Sequence, residues 1–195
     1  MQLKRYLAIP ACCAALALPF ALFAQSGMSQ QPNVTLAARS ISPAESLSAV
    51  FSELQEEVIG AAEAMPADKY DFAPKGPGEF TGVRTFGQQV RHVAQANYHF
   101  FHGWGVAGDI DPKTLNSLTT KVELVKALRD SFAFEQAAIN SITPENAFAA
   151  LPGPPQMKLT RVSMVAYSMA HSRDHYGQMV EYLRMNGIIP PASRK

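Results

Sequence analysis

Apolar residues recur at intervals of three and four along two long stretches of the chain, which is the spacing of one helix face. Between residues 161 and 186 they fall on one arc, and charged residues such as Arg173 and Glu181 occupy the opposite side. The stretch from residue 86 to residue 104 repeats this arrangement. Both patterns predict amphipathic helices that bury one face against a core.

Start signals place four helices, over residues 43–65, 86–104, 121–142 and 161–186. Each span follows a hydroxyl side chain that can accept a hydrogen bond from the first turn, namely Ser42, Thr85, Thr120 and Thr160. The connecting segments contain proline and glycine clusters and no strand pattern. The sequence therefore predicts an all-α fold, a four-helix bundle with long connecting loops.

Residues 1–24 are predicted to be a signal peptide rather than part of the fold. Lys4 and Arg5 precede an apolar run that is short for a membrane span, and Ala24 offers a cleavage point. We therefore expect a periplasmic or secreted protein without a stable membrane span. An uncleaved leader that anchors the protein in a membrane is the alternative.

The rest of the chain divides into three predicted parts. Residues 25–41 are rich in Ser, Gln and Asn without periodicity and are predicted to form a flexible N-terminal segment. Residues 42–189 hold the four predicted helices, and residues 190–195 form a C-terminal tail. A single helical domain of this length is large enough to bury a core of its own.

Cysteine content and charge exclude several classes of function. Both cysteines, Cys12 and Cys13, lie in the predicted leader, so the mature protein would have neither a disulfide nor a thiolate. Because the leader contains two of the 17 basic residues and none of the 16 acidic residues, the mature net charge would be −1. Since the chain has no basic stripe or tail, we expect no nucleic-acid partner.

All five histidines lie in two predicted helices, and their spacing indicates a metal site. His171 and His175 are four residues apart, so they stand one turn apart and can hold one ion. With one histidine from the other helix they can make a three-nitrogen site that leaves coordination positions open, and His92 lies at the edge of its apolar arc, where it could meet them. His99 lies two turns from His92, too far to share its ligand set, and His102 faces solvent.

The positions of four other polar residues predict what their side chains contact. Gln178 and Tyr182 share the stripe of the histidine pair and are predicted to contact substrate. Asp174 follows this stripe in sequence but is predicted to point away from the histidines. Glu135 lies in line with apolar residues of the third predicted helix, which favours a salt bridge at the core boundary over an inward general base.

The segments Phe86-Gly-Gln-Gln-Val-Arg-His92-Val-Ala and His171-x-x-x-His175-x-Gly177-Gln178 resemble motifs of the DinB-like superfamily, whose members are small four-helix proteins proposed to be metal-dependent enzymes. The resemblance covers roughly residues 43–186. It implies one divalent transition metal ion, such as nickel, zinc, iron or manganese, held by His92, His171 and His175. Some members transfer low-molecular-weight thiols in the cytosol, so predicted export argues against that reaction here.

The leading hypothesis is a metal-dependent hydrolase or transferase that acts on a small molecule. Its metal would act as a Lewis acid that lowers the pKa of a bound water or substrate. The sequence contains no phosphate-binding glycine loop, nucleophile-elbow serine or zinc-protease motif. The alternative is a non-catalytic exported bundle that binds a metal or another ligand such as haem. The outer helix positions tolerate a homodimer without requiring one.

Overall fold

Four α-helices make up most of the part of the chain that the computed structural model describes, which is residues 40–75, 82–153, 156 and 158–194. Their bounds are Pro43–Ala64 (α1), Phe86–Phe101 (α2), Lys121–Asn140 (α3) and Arg161–Met185 (α4). Within the described ranges no β-strand forms, and the only bridge joins Ala150 to Thr160. The predicted all-α fold is confirmed. The predicted signal peptide and residues 25–39 lie outside the described residues.

The four helices begin where their capping residues predict. The side chain of Ser42 accepts a hydrogen bond from the backbone of Glu45, and Thr85, Thr120 and Thr160 each form a complete capping box. The end of α2 differs from the prediction, because the helix stops at Phe101 rather than near residue 104. Gly103 and Gly105 follow it with φ angles of 77° and 78°, which a right-handed helix does not accommodate.

The helices pack so that each contacts two neighbours. α1 and α2 both pack against α3 and against α4, which places α1 diagonally across from α2 and α3 diagonally across from α4. Four fully buried phenylalanines help to fill the centre, namely Phe51, Phe86, Phe101 and Phe132. Burial of one such side chain contributes about 1.5–3 kcal/mol to folding. In the described part of the chain, none of the helices is both long and apolar enough to span a membrane.

The connection after α1 crosses the first turn of α2 and holds it in place. The hydroxyl of Tyr70 donates to the carbonyl oxygen of Ala62 at 2.7 Å, and the backbone of Gly87 donates to the carbonyl oxygen of Tyr70 at 2.8 Å. Gly87 leaves the room for this contact. A Cβ atom there would lie 3.1 Å from the Tyr70 ring and 3.3 Å from the side chain of Leu124.

We therefore expect Gly87→Ala to lower the free energy of unfolding by about 1–2 kcal/mol, because the new methyl group overpacks this crossing. Gly177→Ala is the matched control, since a Cβ at this helical position meets nothing within 4 Å. It should raise the free energy of unfolding by up to about 1 kcal/mol through helix propensity alone. Urea unfolding curves would measure both, and equal shifts in the two variants would contradict the close approach at Gly87.

Candidate metal centre

Three histidine side chains from α2 and α4 converge on one point. The Nε2 atom of His171 lies 3.2 Å from Nε2 of His92 and 3.2 Å from Nε2 of His175. Two nitrogens that each bind one zinc ion at about 2.0–2.1 Å are about 2.9–3.4 Å apart at octahedral or tetrahedral angles. The observed separations therefore fit ligands of a single ion. All three ligand atoms lie within 4.8 Å of one another.

The surroundings keep these imidazoles uncharged at neutral pH. Burial lowers the pKa of His92 and of His175 to about 4, and it also lowers the pKa of His171. The guanidinium of Arg84 and the neighbouring imidazoles contribute to this lowering of the pKa values of His92 and His175. Neutral imidazole is the form that offers a lone pair, so protons compete little with a metal ion here.

A chain of hydrogen bonds determines which nitrogen of His175 carries the proton. Asp174 accepts a hydrogen bond from Gln178 at 2.9 Å, and Gln178 accepts one from Gln89 at 2.7 Å. The side-chain amide oxygen of Gln89, Oε1, then lies 2.7 Å from Nδ1 of His175. Because a carboxylate only accepts, it orients both amides, and Nδ1 must donate. The lone pair of His175 is therefore on Nε2, the atom that faces the other two histidines.

An open groove of about 450 Å³ runs alongside His92 and His171. Phe100 forms one side of the groove. Its ring lies edge-on to the rings of His171 and Tyr167, with 5.3 Å between ring centroids in each pair. The short helical turn Pro112–Ser117 carries Lys113 on another side. Gln95 holds this turn against α2, because its amide donates to Pro112 at 3.2 Å and to Asn116 at 2.8 Å.

The fold and the three-histidine geometry agree with the comparison to known protein families. The model of the DinB superfamily matches residues 51–179, about two thirds of the chain. The chain belongs to the DinB superfamily. This confirms the resemblance drawn from the sequence motifs. A search of curated proteins found no match.

Sequence reasoning selected His92, His171 and His175, and this DinB superfamily protein brings all three together. His99 stands apart from the cluster but lines the groove beside it. His102 is exposed and contacts Asp109 at 3.0 Å, as its predicted solvent-facing position implies.

The two residues that were predicted to contact substrate already have protein partners. The hydroxyl of Tyr182 donates to the carbonyl oxygen of Arg84 at 3.1 Å, and its ring is buried edge-on against Phe72. Gln178 lies between Gln89 and Asp174. Neither is among the residues that line the groove. Substrate contact by Gln178 or Tyr182 stays a prediction.

Gln89 is the part of the centre that sequence reasoning missed. It is 2% exposed and lies three residues before His92, which puts both on the same face of α2. That spacing was the available signal. Asp174 is exposed, and the two glutamines connect it to His175.

Gln89→Leu should weaken zinc binding about 10–100-fold, because it removes the group that orients His175. The matched control is Gln136→Leu on α3, where the amide bonds only to Ser48 and Asn140. Competition with a chromophoric chelator would give both dissociation constants. Unchanged zinc affinity in Gln89→Leu, with the protein folded, would contradict an orienting role for this amide.

Proposed function

We propose that this protein is a metal-dependent hydrolase or transferase of the DinB superfamily that acts on a small molecule. The observation that carries the proposal is the convergence of three neutral Nε2 atoms beside an open groove. Three protein nitrogens leave coordination positions for water and substrate, which is the arrangement of catalytic rather than structural sites.

The ligand set suits a divalent transition metal ion such as zinc, nickel, iron or manganese. Bound there, the ion supplies a Lewis acid that lowers the pKa of a water molecule or substrate group. His92, His171 and His175 hold it, and Gln89 orients His175. Among the described residues no carboxylate joins the three histidines. The site therefore keeps the full charge of the ion, which favours an anionic nucleophile.

The groove supplies the contacts for a small-molecule substrate. Phe100 and Tyr167 present apolar ring surface next to His171, and Tyr167 is 58% exposed. Lys113, which is exposed, and His99 of α2 line the same groove. An aromatic or apolar body with a polar group directed toward the histidines fits these walls.

Metal analysis of the purified protein tests the proposal directly. After dialysis against divalent ions, we expect near one equivalent of metal in the wild type and none in His175→Ala. His102→Ala is the matched control, because its imidazole is exposed and outside the cluster, and it should keep the metal. Two folded proteins without metal, wild type and His175→Ala alike, would refute the site.

A substrate screen separates catalysis from simple binding. Esters, epoxides and thiol acceptors offered to the metal-loaded protein should reveal a turnover that His175→Ala lacks. A full metal site without turnover of any of these compounds would favour the non-catalytic binding protein, and a Soret band after incubation with haem would favour a haem carrier.

We also propose that the protein works outside the cytoplasm, because residues 1–24 have the sequence pattern of a signal peptide. Expression of the complete chain in a bacterial host should give periplasmic protein that begins at Gln25. Reversing the charges of Lys4 and Arg5 should slow this export. Full-length protein in the cytosolic fraction would contradict it, and full-length protein in the membrane fraction would favour the uncleaved anchor.

A further inference from the structure

The centre of the bundle contains a carboxyl group that the sequence places at its boundary. Glu135 on α3 is 1% exposed, so the predicted boundary salt bridge is wrong. Neither of its oxygens has a hydrogen-bond partner among the described residues. Burial raises the pKa of this carboxyl to about 8. It is therefore protonated at neutral pH and can both donate and accept a hydrogen bond.

Other buried polar atoms in the described part of the chain share this lack of a partner. They are Oδ1 of Asn97, Oγ of Ser168, Oγ of Ser172 and Nδ1 of His171. Asn97, Ser168 and Ser172 are each no more than 1% exposed. They come from α2 and α4, whereas Glu135 comes from α3.

These groups lie together rather than scattered. The hydroxyl of Ser168 is near enough to the Glu135 carboxyl to offset part of the rise in its pKa, but the two groups do not meet the geometry of a hydrogen bond. Asn97 donates to Ser131 at 3.2 Å, and Ser131 lies one turn from Glu135 on α3. Ser168 lies one turn before His171 and Ser172 on α4. Because α3 lies diagonally across the bundle from α4, the group spans the middle of the bundle. It ends behind His171, one of the three candidate metal ligands.

A dry arrangement of this kind would be costly. Each buried polar group without a partner costs about 1–3 kcal/mol, and five such side chains together would cost about as much as the 5–15 kcal/mol that stabilises a typical domain. Water is the ligand that satisfies clustered donors and acceptors inside proteins, commonly with about three hydrogen bonds each. A ligating histidine also normally donates its second ring N–H to a carboxylate, a carbonyl or water. Nδ1 of His171 needs such an acceptor.

We propose that Glu135, Asn97, Ser168 and Ser172 form a buried water-binding site that connects the Glu135 carboxyl to Nδ1 of His171. Glu135 thereby becomes a positioning residue for the metal centre, acting through water on a ligand it does not touch. This second part rests on the proposed metal-dependent function, whereas the water site itself does not.

A crystal structure of the zinc-incubated protein at a resolution that shows ordered water tests the site. We expect water within hydrogen-bond distance of the Glu135 carboxyl and of Ser168, Ser172 or Nδ1 of His171. A carboxyl that bonds directly to protein side chains, with no water beside it, would overturn the proposal.

Zinc affinity tests the positioning role. Glu135→Leu should weaken zinc binding about 10–100-fold, and Glu135→Gln, which keeps a neutral donor and acceptor, should restore it to within about threefold of the wild type. Ile139→Ala is the matched control, since it empties a fully buried apolar position one turn further along α3. It should lower thermal stability and leave zinc affinity unchanged.

Equal zinc affinity in Glu135→Leu and wild type, or an equal loss in Ile139→Ala, would refute the positioning role. If Glu135→Leu does not fold, Ser168→Ala removes a single hydroxyl from the same site and should weaken zinc binding in the same direction. A wild type that binds neither zinc nor another divalent transition metal would refute the proposed function, and the crystallographic water would still decide the buried site.

Discussion

The register of α2 against α4 is the constraint on which the rest of this structure depends. A metal ion accepts its ligands within a few tenths of an ångström, so one histidine on α2 must meet two on α4 at a set height. Two contacts at different heights maintain this register. Gln89 bonds His175 at 2.7 Å, and Phe100, about three turns further along α2, lies edge-on to His171. The Tyr70 crossing positions the start of the same helix.

This arrangement brings polar groups into places where apolar ones would stabilise the bundle more. Gln89, Asn97, Glu135 and His175 are all buried, and each loses hydration when the protein folds. The core retains enough aromatic surface to tolerate the loss, as the contact between Phe51 and Phe132 illustrates. The buried polar groups therefore lower the stability of the fold at the candidate site, which is typical of functional sites.

Much of the fold could be predicted because its signals are local. A hydroxyl residue before each helix indicates the start, and the pair His171 and His175 is visible as a four-residue interval. The prediction for Glu135 was wrong because it depends on contacts between helices. Glu135 sits in an apolar row, and only the diagonal packing of α3 and α4 shows that its carboxyl meets Ser168 rather than solvent. The predicted end of α2 was wrong for a local reason, because Gly103 has a left-handed backbone conformation.

The two ligands on α4 differ in what stands behind them, and the difference has a chemical consequence. Behind His175 are two amides and a carboxylate, in an order that only one orientation satisfies. Amide groups do not exchange protons readily, so this series of hydrogen bonds fixes the tautomer of His175 and does not conduct protons. In the proposed water site, hydroxyls and a protonated carboxyl lie behind His171, and these groups can rotate and reverse the direction of their hydrogen bonds. Given the proposed water, the two ligands on α4 therefore differ in kind, because fixed amides hold His175 in one tautomer and His171 meets groups that can reorient.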